Sequence, residues 1–106
     1  MELIETPVFT RQVRDYWSDD EYRAFQLHLV LHPDQGKVIP GSGGLRKIRW
    51  QMPGRGKRGG ARVIYLWRAA SGRLYLLYLY AKNARSDLTK AELRALRALV
   101  RDESEN

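Results

Sequence analysis

Twelve of the nineteen Lys and Arg residues fall between Gln35 and Ser86, a window without a single Asp or Glu. Such a stretch repels itself unless an anion lies against it, and phosphate is the anion that a contiguous basic face serves best. A surface kept basic only for solubility would mix the two signs. Inside the window Lys47 and Arg49 alternate with Ile48 and Trp50, Arg55, Lys57 and Arg58 sit among glycines, and Arg62 follows the Gly59-Gly60 pair. A guanidinium fork grips two phosphate oxygens at once, which an ammonium cannot do. With no acid among these strands, a two-carboxylate mechanism or a two-metal phosphoryl-transfer site lacks its ligands there. RNA offers another route, because its 2′-hydroxyl is a built-in nucleophile. A protein then needs only to align it, neutralise the transition state and help move protons.

Other motifs carry less. Gly54-x-Gly56-x-x-Gly59 matches the dinucleotide fingerprint by letter. That fingerprint works by leading a strand into a helix, whereas here a strand should follow, and no acid lies about twenty residues on for a ribose. The same glycines let Arg55, Lys57 and Arg58 approach a phosphate closely. No Gly-Lys-Ser/Thr of a P-loop occurs. His28 and His32 have the spacing of a helical metal pair but no evident third ligand, so no metal and no cofactor are expected. There is no cysteine, which removes disulfides and thiolate sites. No apolar run reaches the roughly 18 residues of a membrane span, and MELIET does not read as a signal peptide. A soluble, cytoplasmic protein of one domain over residues 1–106 is expected, with 102–106 as a frayed tail.

The elements that must position these residues follow from periodicity and caps. Leu3 to Thr6 reads as an edge strand. Phe9, Val13 and Tyr16 mark one face of a helix to about Trp17. Ser18 and Glu21 form a capping box, with Trp17 and Tyr22 as its staple, opening a helix from about Asp19 to Leu31 that Pro33 stops. His32 to Gly44 reads as a loop. Leu45 to Met52 alternates, with Ile48, Trp50 and Met52 on one side and Lys47, Arg49 and Gln51 on the other. Pro53 to Gly60 is a hairpin loop. Arg62–Arg68 and Arg73–Tyr80, joined at Ser71-Gly72, are central strands covered on both faces. Thr89 and Glu92 cap a last helix ending near Arg101, with Leu88 and Leu93 as its staple. The order β-α-α-β-β-β-α predicts an α+β fold, a small, mostly antiparallel sheet with the helices on one face. In a chain of this size most of Trp50, Tyr65, Trp67, Tyr75, Tyr78 and Tyr80 are core rings rather than platforms for bases.

GGLRKIRW, GKRGGARVIYLW and LYLLYLYAKNARSDLT together resemble the RelE/ParE superfamily of toxins, and most of all its HigB branch, over nearly the whole chain. The resemblance implies a toxin of a type II toxin–antitoxin pair, a metal-independent endoribonuclease cutting mRNA in the ribosomal A site. The catalytic cations of RelE-type nucleases match Lys47 and Arg49, and their transition-state arginine matches Arg62. Where that type has an arginine after the fourth strand, this chain has Asn83 beside Lys82. Where it has a tyrosine near the closing helix, this chain has Thr89, which the capping box employs. Lys82 and Asn83 therefore complete the expected catalytic set, and Arg46, Arg55, Lys57, Arg58 and Arg85 the RNA-binding one. The resemblance also implies an antitoxin partner, in this branch commonly with a helix-turn-helix domain, besides ribosome and mRNA. A ParE-like inhibitor of DNA gyrase and a basic RNA-binding module without catalysis are the alternatives, and the basic strand face favours RNA over gyrase.

Overall fold

The Thr6 side chain accepts a hydrogen bond from the Phe9 amide and so caps the first helix, with Pro7 pre-set for its first turn. In the computed structural model, which describes residues 1–51 and 60–100, the elements are β1 (Glu2–Glu5), α1 (Pro7–Tyr16), α2 (Asp19–Leu31), β2 (Lys37–Val38), β3 (Arg46–Gln51), β4 (Gly60–Arg68), β5 (Arg73–Ala81) and α3 (Lys90–Ala98). The sheet runs β1-β5-β4-β3-β2. β1 lies parallel to β5, and every other pairing is antiparallel. The α+β class, the mixed sheet and both capping boxes agree with the sequence.

Three features differ from expectation. The segment 32–44 contains the two-residue strand β2, held from outside by Tyr65 and Arg46. The Tyr65 hydroxyl accepts from the Gly36 amide at 2.8 Å and donates to the Pro33 carbonyl at 2.9 Å. Arg46 donates to the carbonyls of Asp34 and Gly36. α3 ends at Ala98, before the expected Arg101. Most consequentially, the helices do not share one face. Phe9, Val13 and Trp17 from α1 and its cap, with Phe25 and Leu29 of α2, pack on Ile48, Val63 and Tyr65. Leu96 of α3 and Val100 pack on Leu45, Ile64 and Leu66, the alternate positions of the same strands. The α1–α2 hairpin covers one side of the sheet and α3 part of the other.

A β-bulge links the two cores. Opposite β4, Ile64 pairs with Tyr78 but Tyr65 pairs with Leu76, so Leu77 is an extra residue in β5. Leu74, Leu76 and Leu79 face α1 and α2, whereas Leu77 and Tyr80 belong to the α3 side with Tyr78 packed against them. The absence of alternation in LYLLYLY is this bulge written in sequence. The segment 52–59, with the expected hairpin loop and Met52, and the segment 101–106 lie outside the described residues.

Candidate nucleic-acid interface

The side of the sheet that α3 leaves open is where the cations gather. Arg49 of β3 is the direct cross-strand partner of Arg62 of β4, and Arg62 is in turn opposite Tyr80 of β5. One step along, Lys37, Lys47, Ile64 and Tyr78 form the neighbouring row. Like charges placed directly opposite destabilise a sheet, so the Arg49–Arg62 pair is an arrangement that an anion between or above them would relieve. Arg62 is half-buried and its Nη1 donates to the Ala61 carbonyl at 3.3 Å, while Arg49 is exposed. Around the pair is an open cavity of about 240 Å³ lined by Arg49, Trp50, Gln51, Gly60, Arg62 and Lys82.

Lys82 is set there by the backbone. Its amide donates to the Gly60 carbonyl at 3.0 Å. Its aliphatic stem lies over Gly60 so closely that a Cβ at that position would stand 3.3 Å from it. Asn83 follows in the turn after β5, exposed, and among the described residues it does not line the cavity around Arg62.

The sequence reading missed an acid. Strands β2 to β5 are free of carboxylates, but Asp87 reaches their basic face from the segment before α3, and its Oδ1 accepts from Lys47 Nζ at 2.7 Å. That hydrogen bond and the charge of Lys47, followed by the charges of Arg62 and Arg49, hold the Asp87 carboxyl below the usual carboxylate range. Asp87 is thus ionised at neutral pH and within the field of Lys47, Arg49 and Arg62. Although the strands that build it supply none, the basic face therefore does include one carboxylate. Its position just beyond the acid-free window was the available signal. Lys37 and Tyr80 were also missed as neighbours of the site, because β2 spans only two residues and the broken alternation of LYLLYLY does not say which residue is the extra one.

Two cations expected to bind RNA are engaged elsewhere. Arg46 lies on the α2 side of β3, where it ties down the 34–36 loop. Arg85 forks onto Glu92, at 2.5 Å and 2.9 Å, and also donates to the Asp87 carbonyl. The Arg85 contact, with the Thr89 amide, pulls the Glu92 carboxyl down to about 2. Arg85 therefore braces the loop that carries Asp87. Arg55, Lys57, Arg58 and the Gly54-x-Gly56-x-x-Gly59 string lie outside the described residues. Away from this face, the His28 ring contacts the Gln35 amide oxygen and the Trp50 ring, with His32 beside it. Tyr65 and Tyr80 are buried, in keeping with core roles, and Trp50, Trp67, Tyr75 and Tyr78 are half-buried around the two cores.

The face extends beyond the arginine pair. A second cavity of about 290 Å³ is lined by Lys37, Lys47 and Arg49 with the 35–36 backbone, and a groove of about 450 Å³ continues between β2 and the start of α3. Burial pushes the Tyr80 hydroxyl above the usual phenol value, so Tyr80, which lines this groove, is neutral, its hydroxyl donating to the Ser86 carbonyl at 3.4 Å. The arrangement is a row of cations on a rigid sheet, one ionised carboxylate and an adjoining apolar trough. It can bind phosphates in a line and stabilise charge on one of them.

Residues 8–104 match the sequence family described as the RelE toxin of the RelE/RelB toxin–antitoxin system. The fold is similar to that of the Escherichia coli toxin RelE, solved in the free state as a mutant with two arginines replaced by alanine. The TM-score is 0.58 at 13% sequence identity, covering 92% of this chain and 94% of that one. At that identity the likeness is one of fold. Among the described residues, no helix is long and apolar enough to cross a membrane.

Proposed function

The chain belongs to the RelE toxin family of toxin–antitoxin systems, and from that premise we propose that it is a metal-independent endoribonuclease that cuts mRNA in the ribosomal A site and so inhibits translation. Within the family its strings GLRKIRW and GGARVIYLW suggest the HigB branch, with a helix-turn-helix antitoxin as partner, and the cytoplasm as its place of action. Residues 1–106 would act as a single toxin domain.

The observation that carries this reading is the directly paired Arg49 and Arg62, on the same face as Lys47 and around one cavity with Lys82. In the proposed reaction the 2′-oxygen attacks the adjacent phosphorus. The bond from phosphorus to the 5′-oxygen breaks, leaving a 2′,3′-cyclic phosphate and a 5′-hydroxyl, and the proton lost from the 2′-hydroxyl is balanced by one gained at the leaving oxygen. Arg62 grips two non-bridging oxygens, Arg49 opposes it, and Lys47, oriented by Asp87, supplies further positive charge. Removing the Arg62 fork should cost about 3–4 kcal/mol of transition-state stabilisation, by analogy with loss of an oxyanion donor.

The test is Arg62→Ala and Arg62→Lys, with mRNA 5′ ends mapped after expression and ribosome binding measured on the purified protein. Cleavage should fall by about a hundredfold or more in both variants while binding drops only modestly. A properly folded Arg62→Ala that cleaves at full rate refutes the assignment, and wild-type toxicity without new 5′ ends would favour a gyrase-directed activity.

A further inference from the structure

The groove of about 450 Å³ has no role in the phosphate chemistry above. Its floor is Ile64 and Tyr80, Leu93 of α3 forms a wall, and Lys37, Lys47 and Asp87 stand at its mouth. An apolar interior with a few polar groups at the rim suits a small flat ligand with a polar edge, and a nucleobase is such a ligand. Lys47 lines both the groove and the middle cavity, and Arg49 lines both the middle cavity and the one around Arg62. The cationic track is therefore continuous. Lys47 and Arg49 are two residues apart on one strand, about 7 Å at 3.4 Å per residue. That is about two stacked nucleotide steps, so a strand with a phosphate at Arg62 can lay a nearby base in the groove.

A peptide fits less well. β2 offers only two residues of ladder at that edge, too few for strand addition to gain much from backbone bonds, and the cationic rim favours an anionic chain. Asp87 adds discrimination. Lys47 takes its Oδ1, but a carboxylate has about four acceptor positions, leaving capacity for an amino group on a base edge, as Asp accepts from cytosine N4. Cytosine, adenine and guanine carry an exocyclic amine, and uracil does not.

We propose that this groove seats one base of the bound RNA and that Asp87 selects a base with an exocyclic amine over uracil. The proposal rests on the RNA reading of the adjoining site. It can be tested by fluorescence anisotropy with short 2′-O-methyl oligocytidine and oligouridine, which bind but lack the attacking hydroxyl. The wild-type protein should favour oligocytidine by roughly fivefold or more, the worth of about one net hydrogen bond. Asp87→Ala, which removes every acceptor there, should erase that preference. Lys90→Trp, at an exposed residue that lines the groove, should weaken both oligonucleotides about tenfold relative to Lys90→Ala by filling the space that a stacked base requires.

Equal wild-type affinity for the two, or binding by Lys90→Trp as tight as by Lys90→Ala, overturns the proposal. RNA binding that needs Arg62 but ignores both groove variants overturns it while leaving the nuclease reading intact. Loss of antitoxin binding with unchanged RNA affinity would make the groove a peptide site and overturn it likewise. Failure of the wild-type protein to bind either oligonucleotide at low salt would remove the RNA reading itself, and the groove proposal with it.

Discussion

Tyr65→Phe removes a single oxygen, and the structure says what depends on that oxygen. Tyr65 is wholly buried, so the phenylalanine ring fits the same space and no cavity opens. What is lost is the bridge that accepts from the Gly36 amide at 2.8 Å and donates to the Pro33 carbonyl at 2.9 Å. Gly36 is buried, so its amide is left without a partner, at about 1–3 kcal/mol. The Pro33 carbonyl, only half-buried, can turn to water at a smaller loss. A destabilisation of about 2–3 kcal/mol should result, read as a lower denaturant midpoint at unchanged slope. Because the bridge holds the segment entering β2, RNA affinity should also fall through misplacement of Lys37. The companion Gly36→Ala approaches the same pair by crowding, since its Cβ would lie 2.7 Å from the Tyr65 ring and hydroxyl, and about 1–3 kcal/mol is expected. A Tyr65→Phe midpoint within about 0.5 kcal/mol of wild type would refute the claim that this hydroxyl holds β2.

Thr89→Ala should lower stability by about 0.5–2 kcal/mol through loss of the α3 cap, in which Thr89 Oγ1 accepts from the Glu92 amide at 3.1 Å. If toxicity vanished while the melting temperature stayed put, Thr89 would be acting in chemistry instead. The Glu92 carboxyl titrates near 2 in the folded protein against an ordinary 4.5. Its contribution is therefore complete above pH 4.5 and lost as pH falls toward 2, with Asp87 acting in the same direction. Glu92→Gln should be less stable at neutral pH and show a flatter acid limb, and an unchanged limb in circular dichroism would count against the Arg85 brace. RNA or ribosome affinity should drop steeply with salt through counterion release, and affinity indifferent to salt would sink the electrostatic argument.

The parts legible in the sequence were those with local causes. Ser18 with Glu21 and Thr89 with Glu92 marked two helix starts because a capping box closes within four residues. The alternation of Lys47, Ile48, Arg49 and Trp50 told which side of β3 was basic for the same reason. What escaped was set by distant partners. β2 exists through a hydroxyl 29 residues away, and Asp87 reaches Lys47 across 40 residues of chain, helped by the Arg85–Glu92 brace. The charge window pointed to the basic face that β3 and β4 form, but counting acids along the chain could not show which of them fold back onto it. The helices were assigned to one face because continuous apolar strands say that both sides are covered without saying by what.

The extra Leu77 in β5 makes the strand a counter with its parity reversed halfway. Up to Leu76 the even positions look toward α1 and α2, and from Tyr78 onward the even positions look toward Arg62 and α3. Deleting that one leucine would restore plain alternation, removing the bulge while leaving Tyr78 and Tyr80 on the cationic side and Leu79 in the α1–α2 core. A gapless comparison with a relative lacking the bulge would pair residues from opposite sides of the sheet. Substitutions at Tyr78 and Tyr80 would then be judged against the wrong neighbours. For this chain the side-chain census of the site depends on where counting starts, and the right origin is the far side of Leu77.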